Sequence, residues 1–367
     1  RAVVGRYQLE HGRAESAKGT TVGTVLDVPP VEREMTERTR RAGMPLPGPG
    51  WVVFWSAPVV LAVLSLFVGA SSLSLTAVLS LDGQAIELLL VSRLPRMVSL
   101  VLAGMSLGVA GLITQQLAQN RFASPMTMGT DDAARLGVLL AILLLPGATT
   151  SVKMLFAFCC ALLGTAAFLA LVQRVRNRGS LFVPIVGLMY GNLLAAVTTF
   201  AAYKYDLVQN VSAWLQGNFA LVIAGRYELL YLVVPLVAIA YLYAYRFTVA
   251  GFGEEIATTL GLGYRQTVAL GLSIVSLVAA VVLVTVGTIP FLSLVVPNLA
   301  VLLRGDHLRR TLPLTAVLGT TFVLACDILG RVVIHPYEVP ISVVAGVLGS
   351  AVFLGFLLVH GRRREGR

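Results

Sequence analysis

Charge is what this chain has least of. Asp, Glu, Lys and Arg make up 13% of its 367 residues, where a soluble domain carries about 25%. No stretch after residues 1–50 is polar enough for a water-soluble domain, and with 57% hydrophobic residues and a mean hydropathy of +0.84 the composition is that of an integral membrane protein. Histidine is scarcer still: His11, His307, His335 and His360 are the four copies, and none has a partner at catalytic or metal-binding spacing. The three cysteines, Cys159, Cys160 and Cys326, all fall inside apolar runs, where they read as small hydrophobic residues rather than as a redox pair or metal ligands. Missing too are Gly-x-x-x-x-Gly-Lys-Ser/Thr, His-Glu-x-x-His and Gly-x-Ser-x-Gly. The chain therefore has no Walker loop to hold ATP, and an enzyme is not expected. A net charge of +10 invites a nucleic-acid reading, but the basic residues sit between apolar runs, where membrane topology accounts for them.

Residues 1–50 are polar and rich in Gly, Pro and Arg, so a disordered cytoplasmic tail is expected. Met35, followed by Thr-Glu-Arg-Thr-Arg-Arg, would make a natural start, which leaves residues 1–34 as a stretch expected to be dispensable. Apolar runs of bilayer-crossing length then recur at about 51–75, 97–118, 129–146, 151–173, 181–203, 229–245, 267–286, 288–303, 313–330 and 339–359. The expected architecture is all-α and polytopic, with about ten transmembrane helices. Arg38, Arg40 and Arg41, then Arg174, Arg176 and Arg178, then Arg304, Arg309 and Arg310, and finally Arg362, Arg363 and Arg364 all fall on one side. By the positive-inside rule that side is the cytoplasm, and both termini lie there.

Arg93, Arg96 and Arg331 run against this bias and fall on the outer side. Their side chains either snorkel to lipid headgroups or form a cationic rim that docks an acidic partner or an anionic solute. Acids inside the runs are few. Asp132 and Arg135 are three residues apart and Asp327 and Arg331 four apart, so each acid can meet an arginine on its own helix; such local pairs are not what an ion-coupled transporter presents. Gly104 with Gly108, and Gly187 with Gly191, have the spacing that lets membrane helices approach closely. Pro184, Pro235 and Pro297 lie within apolar runs and imply kinked or broken helices.

Residues 246–267 form a polar island between two long apolar runs. Glu254 and Glu255 open a short helical stretch that Gly261 and Gly263 would close. A short amphipathic helix in a cytoplasmic loop is a handle for a partner protein. Gly253, Ala257, Leu260 and Gly261 are the expected contacts, because small and apolar residues seat a helix in a groove; Glu254 and Glu255 would cap its N-terminus.

Four ordered motifs carry a resemblance. The first is Ser92-Arg93-Leu94-Pro95-Arg96 with Gly104 through Gly111, Gln115-Gln116 and Asn120-Arg121-Phe122-Ala123-Ser124-Pro125. The second is Gly287-Thr288-Ile289-Pro290-Phe291-Leu292-Ser293-Leu294-Val295-Val296-Pro297, and the third Gly305-Asp306-His307-Leu308-Arg309-Arg310. The fourth is Cys326-Asp327-Ile328-Leu329-Gly330-Arg331 with Glu338-Val339-Pro340-Ile341 and Gly349. Together these resemble the FecCD permeases, the membrane subunits of ATP-binding-cassette (ABC) importers for ferric siderophores, haem and vitamin B12, from about residue 51 to 360. The segments Tyr203–Gly217 and Gly225–Leu230 are similar to the petrobactin and ferric-catecholate branch. Arg121 stands where the common pattern has Pro, and Asn298 where many members have His.

The resemblance implies a BtuC-like permease fold in the cytoplasmic membrane of a bacterium and a second permease subunit, either a copy or a sister chain. It also implies two cytoplasmic ABC ATPase subunits and an extracytoplasmic substrate-binding protein. No cofactor would be bound by this chain, Mg-ATP being used by the partner ATPase, and no nucleic acid is implied. A ferric siderophore would pass between subunits, mainly along the fifth and tenth spans. By the same carry-over, Arg93, Arg96 and Arg331 would pair with glutamates of the binding protein. Asn120 and Phe122 would narrow the path near the cytoplasm, unless their loop is an ordinary tight turn. Gly253, Glu254, Glu255, Ala257, Leu260 and Gly261 would couple to the ATPase. A haem or cobalamin permease is the alternative within the class; an ion-coupled secondary transporter and a receptor that moves nothing are the alternatives outside it.

Overall fold

The computed structural model describes residues 49–68, 83–174, 182–225, 227–334 and 337–365. The expected N-terminal tail, Met35, Arg176, Arg178 and His335 lie outside them. Each of the ten apolar runs is occupied by a helix. In chain order these are α1 (Pro49–Phe67), α2 (Gly83–Leu88), α3 (Leu94–Leu117), α4 (Thr130–Leu144), α5 (Thr150–Arg174), α6 (Phe182–Lys204) and α7 (Val208–Leu215). There follow α8 (Val233–Leu242), α9 (Ala244–Ala250), α10 (Glu254–Thr259), α11 (Tyr264–Val286), α12 (Leu292–Arg304), α13 (Leu308–Val332) and α14 (Ile341–Glu365). Among the described residues there is no strand, only one bridge between Gln216 and Thr288.

Among the described residues five helical stretches are long and apolar enough to cross a membrane, and a sixth is added if the bent pair Glu228–Leu242 and Ala244–Ala250 counts as one span. Phe54–Phe67, Leu292–Arg304 and Ile341–Gly355 are apolar but shorter, and α4 has 15 residues. The boundaries depart from expectation in three places. The first helix stops at Phe67. The second begins well before residue 97, because α2 runs through a π-helical turn, Leu89–Arg93, straight into α3. The sixth run bends by 61° at Tyr243.

Proline explains less of this bending than expected. Pro184 falls in the first turn of α6, where the missing N–H has no intrahelical acceptor to lose, and Pro235 falls where the 3-10 turn Glu228–Leu232 passes into α8. Pro297 alone of the three sits in a helix interior, in α12. Proline there cannot donate to the carbonyl of Ser293 four residues back, and a Cβ built on Gly111 of α3 would run into that oxygen. The break between α11 and α12 is made by Gly287, whose φ of +82 is open to glycine and costly for residues with a Cβ; its N–H closes the last turn on Leu283 O at 2.9 Å.

The core forms where α3 meets α11, α12 and α13, with Leu100, Ile113, Phe247, Leu292, Leu308 and Leu324 fully buried. Small residues set the approach. A Cβ on Gly104 would lie 2.6 Å from Gly319 O, and one on Gly108 would lie 3.0 Å from Thr315 O, so α3 and α13 touch backbone to backbone along the expected glycine stripe.

An ion network closes the same helix pair at one end. Asp327 of α13, 3% exposed, accepts from Arg331 one turn later and from Arg96 Nη2 of α3 at 2.8 Å. Arg96 Nη1 reaches Glu338, just before α14, at 2.7 Å. Arg331 Nη1 also donates to the carbonyls of Ser65 at 2.8 Å and Val68 at 2.6 Å, and Arg93 Nη1 donates to Val68 O at 2.9 Å. The ends of α1, α3 and α13 and the entry to α14 thus share one cluster.

Breaking a buried pair leaves an uncompensated charge, which costs about 3–5 kcal/mol. Asp327→Asn is therefore expected to lower the melting temperature of the purified protein more than any single truncation of an exposed side chain. Gly104→Val is expected to force α3 off α13 at a cost of about 1–3 kcal/mol, whereas Gly355→Ala, with nothing within 4 Å of its Cβ, should not lower the melting temperature.

Candidate functional site

Three places hold the residues singled out in the sequence. The first is the arginine cluster. The structure does not present Arg93, Arg96 and Arg331 as an exposed rim; they are 7%, 9% and 3% exposed. The physical reason is that a guanidinium out of water needs carboxylates and carbonyls around it, and Asp327, Glu338, Ser65 and Val68 supply them. The expected Asp327–Arg331 pair is present. For Asp132 the near neighbour is α6, where its Oδ2 lies 2.8 Å from the Cβ position of Gly191.

The second place is the loop between α3 and α4. Asn120 Oδ1 accepts from the backbone N–H of Phe122 at 2.8 Å, the local turn that Asn favours. This leaves Phe122 half exposed and edge-on to Phe353 of α14, with ring centroids 5.9 Å apart and an interplanar angle of 89°. Phe353 in turn meets Phe291 at 6.4 Å. Phe291 is held at φ +62, uncommon for a residue with a bulky side chain, and Gly349 of α14 makes room for it: a Cβ there would lie 2.5 Å from Phe291 Cβ. Asn298 of α12 fixes the loop by donating from Nδ2 to Arg121 O at 2.9 Å. The departure from His at position 298 therefore has a structural role, tying α12 to the loop that carries Phe122. Phe291 and Phe353 escaped sequence reading, since nothing in their spacing links residues 122, 291 and 353.

The third place is the polar island. Gly253 precedes the short α10 (Glu254–Thr259), and a turn at Gly261 (φ +78) follows, a conformation glycine adopts without strain. One expectation needs correction. Ala257 is fully buried and so cannot meet a partner; it packs inward because a short helix on a bundle turns its smallest side chain to the support. Glu254 and Glu255 lie in the first turn of α10, where negative charge suits the helix dipole, and Glu254 also faces Arg265 at 3.6 Å in an exposed pair. Leu260 does face outward, together with Phe252 and Ile256, at 65%, 58% and 52% exposure. Their spacing of four residues was the signal that could have found the other two. Beside this ridge, residues of α9, the Gly261–Gly263 turn and α11 line a cleft of about 630 Å³ that includes Arg246, Leu260 and Gln266. Arg246 lies over the Tyr243 ring at 5.0 Å.

None of these places gathers groups for bond making. They offer a buried ion network at one end, an aromatic stack beside a loop, and an apolar ridge flanked by a cleft.

Comparison with known proteins gives this geometry a setting. The petrobactin import system permease protein YclN of Bacillus subtilis is 51% identical over 300 residues, covering 82% of this chain and 95% of that protein. The ferric-anguibactin transport system permease protein FatD of Vibrio anguillarum is 42% identical over 298 residues, covering 81% and 95%. Among solved structures, an inward-facing metal-chelate type ABC transporter shares the fold, with a TM-score of 0.70, 23% identity and coverage of 84% of this chain and 97% of that one. The sequence profile of the FecCD transport family matches residues 57–360, and the chain belongs to that family.

Proposed function

We propose that this chain is the membrane permease subunit of an ABC importer and that its cargo is a ferric siderophore of the catecholate or petrobactin type. The observation that carries this is the 51% identity, over 82% of this chain and 95% of that protein, to a petrobactin import permease. In this reading the chain sits in the cytoplasmic membrane of a bacterium with both termini inside. It pairs with a second permease subunit, and two ATPase subunits hydrolyse Mg-ATP in place of any site of its own.

The ridge of Phe252, Ile256 and Leu260, with the turn at Gly261, is the surface that seats the ATPase. Apolar side chains flanked by a cleft suit docking into a groove, and a helix so held transmits closure as a rigid displacement. At the opposite end a substrate-binding protein delivers the chelate. Arg93, Arg96 and Arg331 lie there with Asp327 and Glu338, and in this reading the cluster holds in place the helix ends that meet the binding protein. Asn120 and Phe122, stacked on Phe353, narrow the path as an apolar gate that excludes water and ions.

Reconstituted with its ATPase and binding protein, the permease is expected to show ATP hydrolysis stimulated by the ferric chelate. Transport that persists without the ATPase and follows a proton gradient would sink this reading. Leu260→Glu should weaken ATPase association about ten-fold or more, as for a central apolar contact, with the melting temperature unchanged. Phe122→Ala should raise the passive ion leak of proteoliposomes several-fold over the wild-type protein; an unchanged leak removes Phe122 from the gate.

A further inference from the structure

A second cavity lies at the arginine end of the bundle. The end of α4, the start of α5, the α7 segment and the last turn of α11 enclose a cleft of about 510 Å³, within the range of small-molecule sites. Val222 lines it, and two residues on, the N–H of Ala224 donates to Val91 O at 3.0 Å, which sets this wall two residues from Arg93.

The polar lining is Thr150, Lys153, Asn210, Gln216, Asn218 and Thr285, and no acidic residue is among the lining residues. Lys153 is half-buried in the first turn of α5, which also holds no acid. The partial positive charge of a helix start adds to the ammonium there rather than offsetting it. Asn218 Oδ1 already accepts from Ala220 N at 2.9 Å, so the donor end of its amide is the part left for a ligand. The wall is preformed. Asn218 N donates to Val286 O at 3.1 Å and Ser342 N to Gly217 O at 3.4 Å, threading residues 216–218 between the α11–α12 break and α14. Met154, also in the lining, offers a thioether of the kind that contacts aromatic ring edges favourably.

A cation and several amide donors without a balancing carboxylate select a ligand that is anionic and rich in oxygen acceptors. We propose that this cleft is a subsite for an anionic ferric chelate as it leaves the binding protein for the translocation path. The proposal rests on the reading of the chain as a siderophore permease and adds where the chelate is held. Ferric catecholates fit by chemistry. Their oxygens carry more negative charge than the ferric ion neutralises, and their ring edges suit the methionine. An anionic phospholipid headgroup shares the oxyanion chemistry, so the test must separate the two sources.

The experiment is equilibrium dialysis of gallium tris-catecholate, a redox-inert stand-in, against the full-length permease in nanodiscs of zwitterionic lipid. Lys153→Gln is expected to weaken binding about ten-fold, the loss of one charge-assisted hydrogen bond. Lys153→Arg should retain it, and a neutral ferric trihydroxamate should be indifferent to both changes. Equal chelate affinity in wild-type and Lys153→Gln protein with matched melting temperatures overturns the proposal. So does a difference seen only as lost anionic lipid in native mass spectra. Failure of the underlying reading looks different: the wild-type complex with its ATPase and binding protein would then not transport at all. If the subsite alone is wrong, that complex transports and Lys153→Gln leaves its half-saturating chelate concentration unchanged.

Discussion

A single carboxylate, Asp327, holds two arginines out of water. Arg96 reaches it from α3 and Arg331 from its own helix. Taking such charges from solvent costs several kcal/mol per ion and is offset only when geometry and hydrogen bonding are nearly complete. Here further donors are taken up by Glu338 and by the carbonyls of Ser65 and Val68, and among the buried atoms of the cluster Arg331 Nε is left without a partner. Three stretches of the chain, at 65–68, 93–96 and 327–338, must therefore arrive together for any of these groups to be tolerable. The glycine contact between α3 and α13 supplies the approach that makes this possible; with a larger residue at Gly104, Arg96 would stand too far away.

Much of the fold was legible because helix formation in an apolar setting is a local property. Each apolar run holds a helix, though five or six of those among the described residues are long and apolar enough to cross a membrane; the Gly104–Gly108 spacing became a packing stripe, and the Asp327–Arg331 spacing became an ion pair. What escaped was non-local. Arg96 and Glu338 are 242 residues apart, and no periodicity connects them, so the arginines read as a free rim when they are the inside of a network. Ala257 was misjudged for a related reason. Composition marks a short helix as amphipathic, but which side rests on the bundle depends on the bend at Tyr243 and the turn at Gly261. Phe353 and Phe291 were invisible as partners of Phe122, since their meeting depends on the space left by Gly349.

The two ends of the molecule divide the work by kind of interaction. At the arginine end, polar groups dominate, in the ion network and around the lysine-lined cleft. At the opposite end Phe252, Ile256 and Leu260 stand exposed as an apolar ridge.

The connection is α14. Glu338 sits three residues before it and Phe353 lies on it, about 18 Å along the axis from Ile341 at the usual helical rise. The two ends of this rod are anchored by different physics. The Arg96–Glu338 contact is directional and is lost if either group turns, whereas the edge-on Phe122–Phe353 contact survives rotation and small slides, because ring contacts have broad minima. A rod held at one end by a directional contact and at the other by a tolerant one can be replaced side chain for side chain only at its aromatic end.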